Sequence, residues 1–160
     1  MNEVYQRLES KLPWNVYKQG ELPKRALLEA FRDDVHSVLF ATSSFWEGIS
    51  IDGESLSCVI IDRLPFAVPD EPIAQAKAES LKKRGINVFA CMSLPEAILK
   101  LKQAFGRLIR TRMDRGVVCI LDNRITTKGY GKLFLRSLPN AKKTSSLDDI
   151  ERFFQEETYA

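Results

Sequence analysis

Three short apolar runs constrain this chain more than anything else in it: Ser37-Val38-Leu39-Phe40-Ala41, the stretch from Leu56 to Ile61, and Gly116-Val117-Val118-Cys119-Ile120-Leu121. Each is shorter than an ordinary helix and lacks the strict alternation of a half-exposed strand, which is the pattern of strands buried on both faces. Segments with helical spacing lie between them, and no Asn-Gly turn joins them as a hairpin. That order predicts a mostly parallel sheet covered by helices, in one α/β domain.

The remaining elements fall around these runs. Asn2 to Leu12 reads as a helix, with Val4, Leu8 and Leu12 at helical spacing, stopped by Pro13. Trp14 to Gln19 reads as a short strand. Pro23 opens a second helix whose apolar face is Ala26, Leu27, Ala30 and Phe31. Leu64 to Pro69 holds two prolines and is expected to be irregular. A helix follows from Asp70 to Arg84, with Gly85 as its stop. Ser93 with Glu96 three residues on has the form of a capping box for a long helix. Another helix is expected over about 129–138, and a last one capped at or near Ser146 and running through Phe154. The domain is expected to span 1–140, with a short link and C-terminal helix over 141–160.

The long helix carries Gln103-Ala104-Phe105-Gly106-Arg107-Leu108-Ile109-Arg110. At about 3.6 residues per turn, Ile98, Leu101, Phe105 and Leu108 form an apolar stripe. Gln103, Arg107 and Arg110 follow i, i+4, i+7 spacing on the opposite side. Gly106 lies beside them, and a helical glycine costs about 1 kcal/mol against alanine, so close packing is expected there. Guanidinium groups offer a planar fork of donors suited to phosphate. The same spacing is equally that of a solvated basic face.

In open α/β sheets, ligands sit beyond the carboxyl ends of the strands. The segments placed there are Thr42 to Gly53, Asp62 to Pro69, and Asp122-Asn123-Arg124. Thr42, Ser43 and Ser44 offer hydroxyls and N–H groups to phosphate, and Gly48 permits backbone conformations closed to other residues. A Ser/Thr loop capping a helical turn has the same composition. Trp46 has a ring that can stack on a base or pack in the core.

The formal charge of +3 permits nucleic-acid contact without arguing for it. No apolar run has the roughly 18–20 residues of a membrane span. Of three cysteines, Cys58 and Cys119 lie in the apolar runs and are expected to be buried. Neither they nor Cys91 form a CxxC pair, which points to a cytosolic chain without disulfides. The lone His36 has no partners at ligand spacing, and no metal site is expected. No G-x-x-x-x-G-K-[ST] loop occurs, since Gly129-Tyr130-Gly131-Lys132 runs on into Leu133.

Phe45-Trp46-Glu47-Gly48-Ile49-Ser50 resembles helicase motif V, and Gln103 to Arg110 resembles motif VI, the QxxGRxxR box of superfamily 2. Ile61-Asp62-Arg63-Leu64-Pro65-Phe66 and Asp114-Arg115-Gly116 narrow the likeness. Together, from about Val4 to Pro139, the chain resembles the second motor domain of DinG-type, XPD-like DNA helicases. The resemblance implies a RecA-like fold without its own Walker motifs, and 5′→3′ unwinding of DNA driven by ATP. It implies arginine fingers at Arg107 and Arg110, with Gln103, Gly106, Glu47 and Gly48 on the nucleotide side. Contact with single-stranded DNA falls to Thr42, Ser43, Ser44 and Trp46. ATP and magnesium are then shared with a first RecA-like domain that carries Walker A and B. Ser50 stands where the family carries Asp, with Asp52 two residues on. The chain is expected to be a fragment or separately encoded piece lacking the domain's first strand, and inactive alone. A reading of another class is a non-catalytic α/β nucleic-acid-binding or regulatory module derived from a helicase.

Overall fold

The computed structural model describes residues 1–42, 45, 56–67, 72–109 and 115–156. Four strands, β1 (Asn15–Lys18), β2 (Ser37–Phe40), β3 (Cys58–Ile61) and β4 (Val117–Ile120), alternate with helices α1 (Asn2–Leu8), α2 (Lys24–Asp33), α3 (Pro72–Lys83), α4 (Leu94–Leu108), α5 (Arg124–Thr127), α6 (Gly131–Ser137) and α7 (Leu147–Gln155). The apolar runs are all strands, and all described pairing is parallel, as the alternation predicts. Among the described residues they form two separate pairs rather than one sheet. In the first, Asn15 lies opposite Ser37 and Lys18 opposite Phe40; in the second, Cys58 lies opposite Val117 and Ile61 opposite Ile120.

The expectation of strands covered on both faces needs correcting for β3 and β4. Side chains alternate across a strand. Val59, Ile61, Val118 and Ile120 join the main core with Leu94, Ala97, Leu101, Ala104, Ile125 and Phe134. Cys58 and Ile60 take the other face, where Cys58 is exposed and Ile60 is 65% exposed. Cys58 is therefore not the buried thiol its apolar surroundings suggest, and Cys119 is only half-buried. Leu101 and Phe134 are among the largest fully buried side chains. Each contributes about 1.5–3 kcal/mol by leaving water. A smaller cluster of Leu27 and Phe45, with Tyr17, Leu28, Leu39 and Ala41, holds α2 on β1 and β2.

The ends of the helices show what the local sequence does. α1 stops at Leu8, but Leu12 N–H still donates to Leu8 O at 3.1 Å, so the last turn runs on to Pro13. Pro23 is the N-cap of α2 rather than its first residue. Gly85, at φ +72°, closes α3: its N–H donates to Lys82 O and Ile86 N–H to Leu81 O, the two bonds of a Schellman motif. The capping box expected at Ser93 and Glu96 does not form. Ser93 has helical backbone angles and makes no cap bond, because the helical run starts earlier. Asn87 Oδ1 accepts Ala90 N–H at 3.1 Å, and one π turn, Phe89–Ser93, leads into α4. Pro95, at the start of α4, has no N–H to donate and would crowd the carbonyl of Cys91 in a continuous α-helix. The wider turn ahead of it accommodates that ring. α5 is too short to leave a periodic signal. No described helix is long and apolar enough to cross a membrane.

Candidate functional site

α4 turns Leu94, Ala97, Leu101, Ala104 and Leu108 into the core. The buried stripe is centred on these residues, and Ile98 and Phe105, expected at its centre, are half-buried flanks. Its small members, Ala97 and Ala104, let the helix lie close to β3. On the far side Gln103 and Gly106 are exposed, and Arg107 stands half-buried at the border. No described atom comes within 4 Å of the place a Gly106 side chain would begin, so the close packing expected at this glycine is not made inside the described chain. α4 ends at Leu108, with Ile109 extended at φ −117° and its N–H held by Phe105 O at 3.0 Å. The spacing groups Arg110 with Gln103 and Arg107, and Arg110 lies outside the described residues.

Gly116 lies against the end of this helix. A side chain at 116 would begin 2.6 Å from Leu108 Cδ1. The residue entering β4 thus lies against the Leu108 side chain at the last turn of α4. Gly116 was visible as part of Asp114-Arg115-Gly116, but its partner Leu108 was not.

The loop after β2 is anchored at its start. Gln19 Oε1 accepts both Thr42 N–H at 2.8 Å and the Thr42 hydroxyl at 2.9 Å, and Gln19 N–H donates to Phe40 O. Phe45 N–H closes a turn onto Thr42 O at 2.9 Å, and its ring is buried beside Leu27. Lys24 Nζ stands 5.3 Å from that ring. A shallow pocket of about 270 Å³ lies alongside, lined by Gln19, Gly20, Leu22, Lys24 and Phe45. Sequence reading missed Gln19, because its bond to Thr42 spans 23 residues and no local pattern records it. Ser43, Ser44, Trp46, Glu47 and Gly48, with Ser50 and Asp52, lie outside the described residues.

The third segment at the strand ends is an internal lock. Asp122 is 8% exposed. Its carboxylate accepts Leu64 N–H at 2.8 Å and Arg124 N–H at 3.0 Å. Arg124 Nε contacts both carboxylate oxygens, at 2.9 and 3.0 Å. The Arg124 guanidinium holds the carboxyl well below the usual carboxylate range. This ties the end of β4 to the loop after β3 and leaves Asp122 no capacity to serve a magnesium ion. Among the described residues no three His, Cys, Asp or Glu side chains converge as metal ligands. Arg107 and Gln103 carry N–H donors of the kind that suit phosphate oxygens.

Residues 1–141 match the helicase C-terminal domain family. The ATP-dependent DNA helicase YoaA of Haemophilus influenzae is 48% identical over 155 residues, which are 97% of this chain and 24% of that protein. The Escherichia coli protein of the same name is 43% identical over 153 residues, 96% of this chain and 24% of that protein. The ATP-dependent helicase DinG of Mycobacterium tuberculosis is 38% identical over 143 residues, 89% of this chain and 22% of that protein. The chain spans about a quarter of the length of these relatives. With nearly its whole length matched, the chain belongs to the helicase C-terminal domain family, in the form carried by YoaA and DinG helicases.

Proposed function

We propose that this chain is the second motor domain of an ATP-dependent DNA helicase of the cytosol, unwinding 5′→3′ and acting in repair. In this reading it works only beside a first RecA-like domain whose Walker A and B motifs hold ATP and magnesium. Bound ATP supplies the γ-phosphoryl group that passes to water. Arg107 and Arg110 donate to the γ-phosphate oxygens from across the interface, where their charge meets the charge that develops in the transition state. Gln103, Gly106, Glu47 and Gly48 line the nucleotide side. Thr42, Ser43, Ser44 and Trp46 hold single-stranded DNA, and the loop that joins them to Glu47 and Gly48 couples strand and nucleotide.

One observation supports this most. α4 needs only its Leu94–Leu108 stripe for the core, and it carries the exposed Gln103 and Gly106 on its far side with the half-buried Arg107 at the border. The relatives' names agree, and the absence of a Walker A sequence in this chain fits a nucleotide held elsewhere. The test is reconstitution. The chain alone should hydrolyse no ATP. Mixed with or joined to its cognate first motor domain, it should give hydrolysis stimulated by single-stranded DNA. Equal hydrolysis by the first domain with and without this chain would sink the proposal.

A further inference from the structure

The turn after α3 and the turn between α5 and α6 meet in a cluster of aromatic rings. Phe89 lies 5.6 Å from Phe66 with the rings 27° apart, and 5.2 Å from Tyr130. Tyr130 touches the fully buried Phe134 at 6.4 Å. The cluster is thus rooted in the core through Phe134 and reaches the surface at Phe89, which is 41% exposed.

Five exposed cations lie near these rings along the chain. Lys82 and Lys83 end α3 and Arg84 follows it, a few residues before Phe89, and Lys128 and Lys132 flank Tyr130 at two residues on either side. All five are exposed, and none forms an ion pair among the described residues. Elsewhere Arg7, Arg25, Lys100 and Arg152 pair with carboxylates one helical turn away. The contrast is written in the sequence: no Asp or Glu occurs between Ser80 and Pro95, or between Asn123 and Leu147. Carboxylates are missing from two of the three segments that the aromatic cluster joins, and the third carries Asp62 four residues before Phe66.

We propose that this rim is a second contact for single-stranded DNA, with Phe89 and Tyr130 offering ring surface to a base and the five cations holding phosphates. Single strands are bound by this combination, because their bases have free faces while their backbone seeks positive charge. A duplex hides those faces. The site differs from the Thr42–Gly48 loop, to which the functional reading assigns the strand's backbone. It shares with the functional reading only the kind of polymer.

The experiment measures binding of the chain to a labelled single strand and to an abasic strand of equal length, at several salt concentrations. Phe89→Leu keeps apolar bulk and removes the aromatic face. It should weaken binding to the normal strand about tenfold and leave the abasic strand unaffected. Lys128→Glu with Lys132→Glu should flatten the fall of affinity with salt, since phosphate contacts are lost. These two side chains are exposed, so they decide the matter if thermal melts show that Phe89→Leu harms the fold. Equal affinity of Phe89→Leu and parent for the normal strand would overturn the proposal, as would an equal loss on both strands or an unchanged salt slope. Weaker binding by Ser43→Ala with Ser44→Ala, with Phe89→Leu unchanged, would keep the loop and remove this site.

Discussion

Gly106 lies where α4 meets no described neighbour, so its lack of a side chain serves nothing in the described packing. Gly106→Ala should therefore raise stability by about 1 kcal/mol, from helix propensity alone. In a two-domain protein it should lower DNA-stimulated hydrolysis, if another surface approaches there. A melting temperature unchanged or lowered would show that the glycine has a packing role inside the chain. Gly131 is the opposite case: a side chain there would begin 2.0 Å from Ile125 O, against backbone that cannot yield. The two glycines look alike in sequence, because nothing local distinguishes a glycine forced by a contact from one left open. Asp122 is similarly opaque. Asp122-Asn123-Arg124 reads as a ligand segment, yet its carboxylate is spent on Leu64 and Arg124. Asp122→Ala should destabilise by about 2 kcal/mol, a loss of roughly 5 °C in Tm. The folded carboxyl is held below its unfolded value, so this stabilisation is complete at neutral pH. It is lost only as pH falls below the ordinary carboxylate range of about 4, where the unfolded chain takes up the proton first. Thermal melts of parent and variant from pH 7 downwards check both statements, and a gap between them that widens toward acid would contradict the pairing.

At the scale of elements, what could be read was what is local. The three apolar runs became strands because their composition leaves few alternatives, and Gly85 stopped α3 because only glycine takes φ +72° without strain. The start of the α4 run was misread because two cap patterns compete. Ser93-x-x-Glu96 has the better consensus, but Asn87 comes first, and Pro95 is tolerated by one widened turn rather than by a new helix start. Asn87→Ala should cost about 1 kcal/mol, whereas Ser93→Ala should stay within about 0.5 kcal/mol. Urea denaturation distinguishes them, and a larger loss for Ser93→Ala would restore the capping box. Helix α7 shows another limit. Its pattern was legible, but its attachment was not: Arg115 reaches Phe153 O at 3.4 Å and stacks 4.7 Å from its ring, a contact spanning 38 residues.

For the whole molecule, the candidate site was legible to the extent that it is a motif. Gln103, Gly106 and Arg107 were found together because one helix carries them, whereas Gln19, which holds Thr42, acts across 23 residues of chain. If the Thr42–Gly48 loop grips the backbone of single-stranded DNA, affinity should fall with rising salt, and Ser43→Ala with Ser44→Ala should weaken binding at low salt. Unchanged titrations would exclude the loop as the contact. The central claim is that this domain completes a nucleotide site it does not hold. The most direct test is steady-state hydrolysis by the reconstituted two-domain protein at saturating single-stranded DNA, with parent, Arg107→Ala and Arg110→Ala compared. An arginine that meets charge only in the transition state acts on rate more than on binding. Arg110→Ala should lower kcat by about 10³-fold, and Arg107→Ala similarly or somewhat less, with KM for ATP and affinity for DNA largely kept. If both variants hold kcat within a few-fold of the parent, neither arginine meets the γ-phosphate and the claim is wrong.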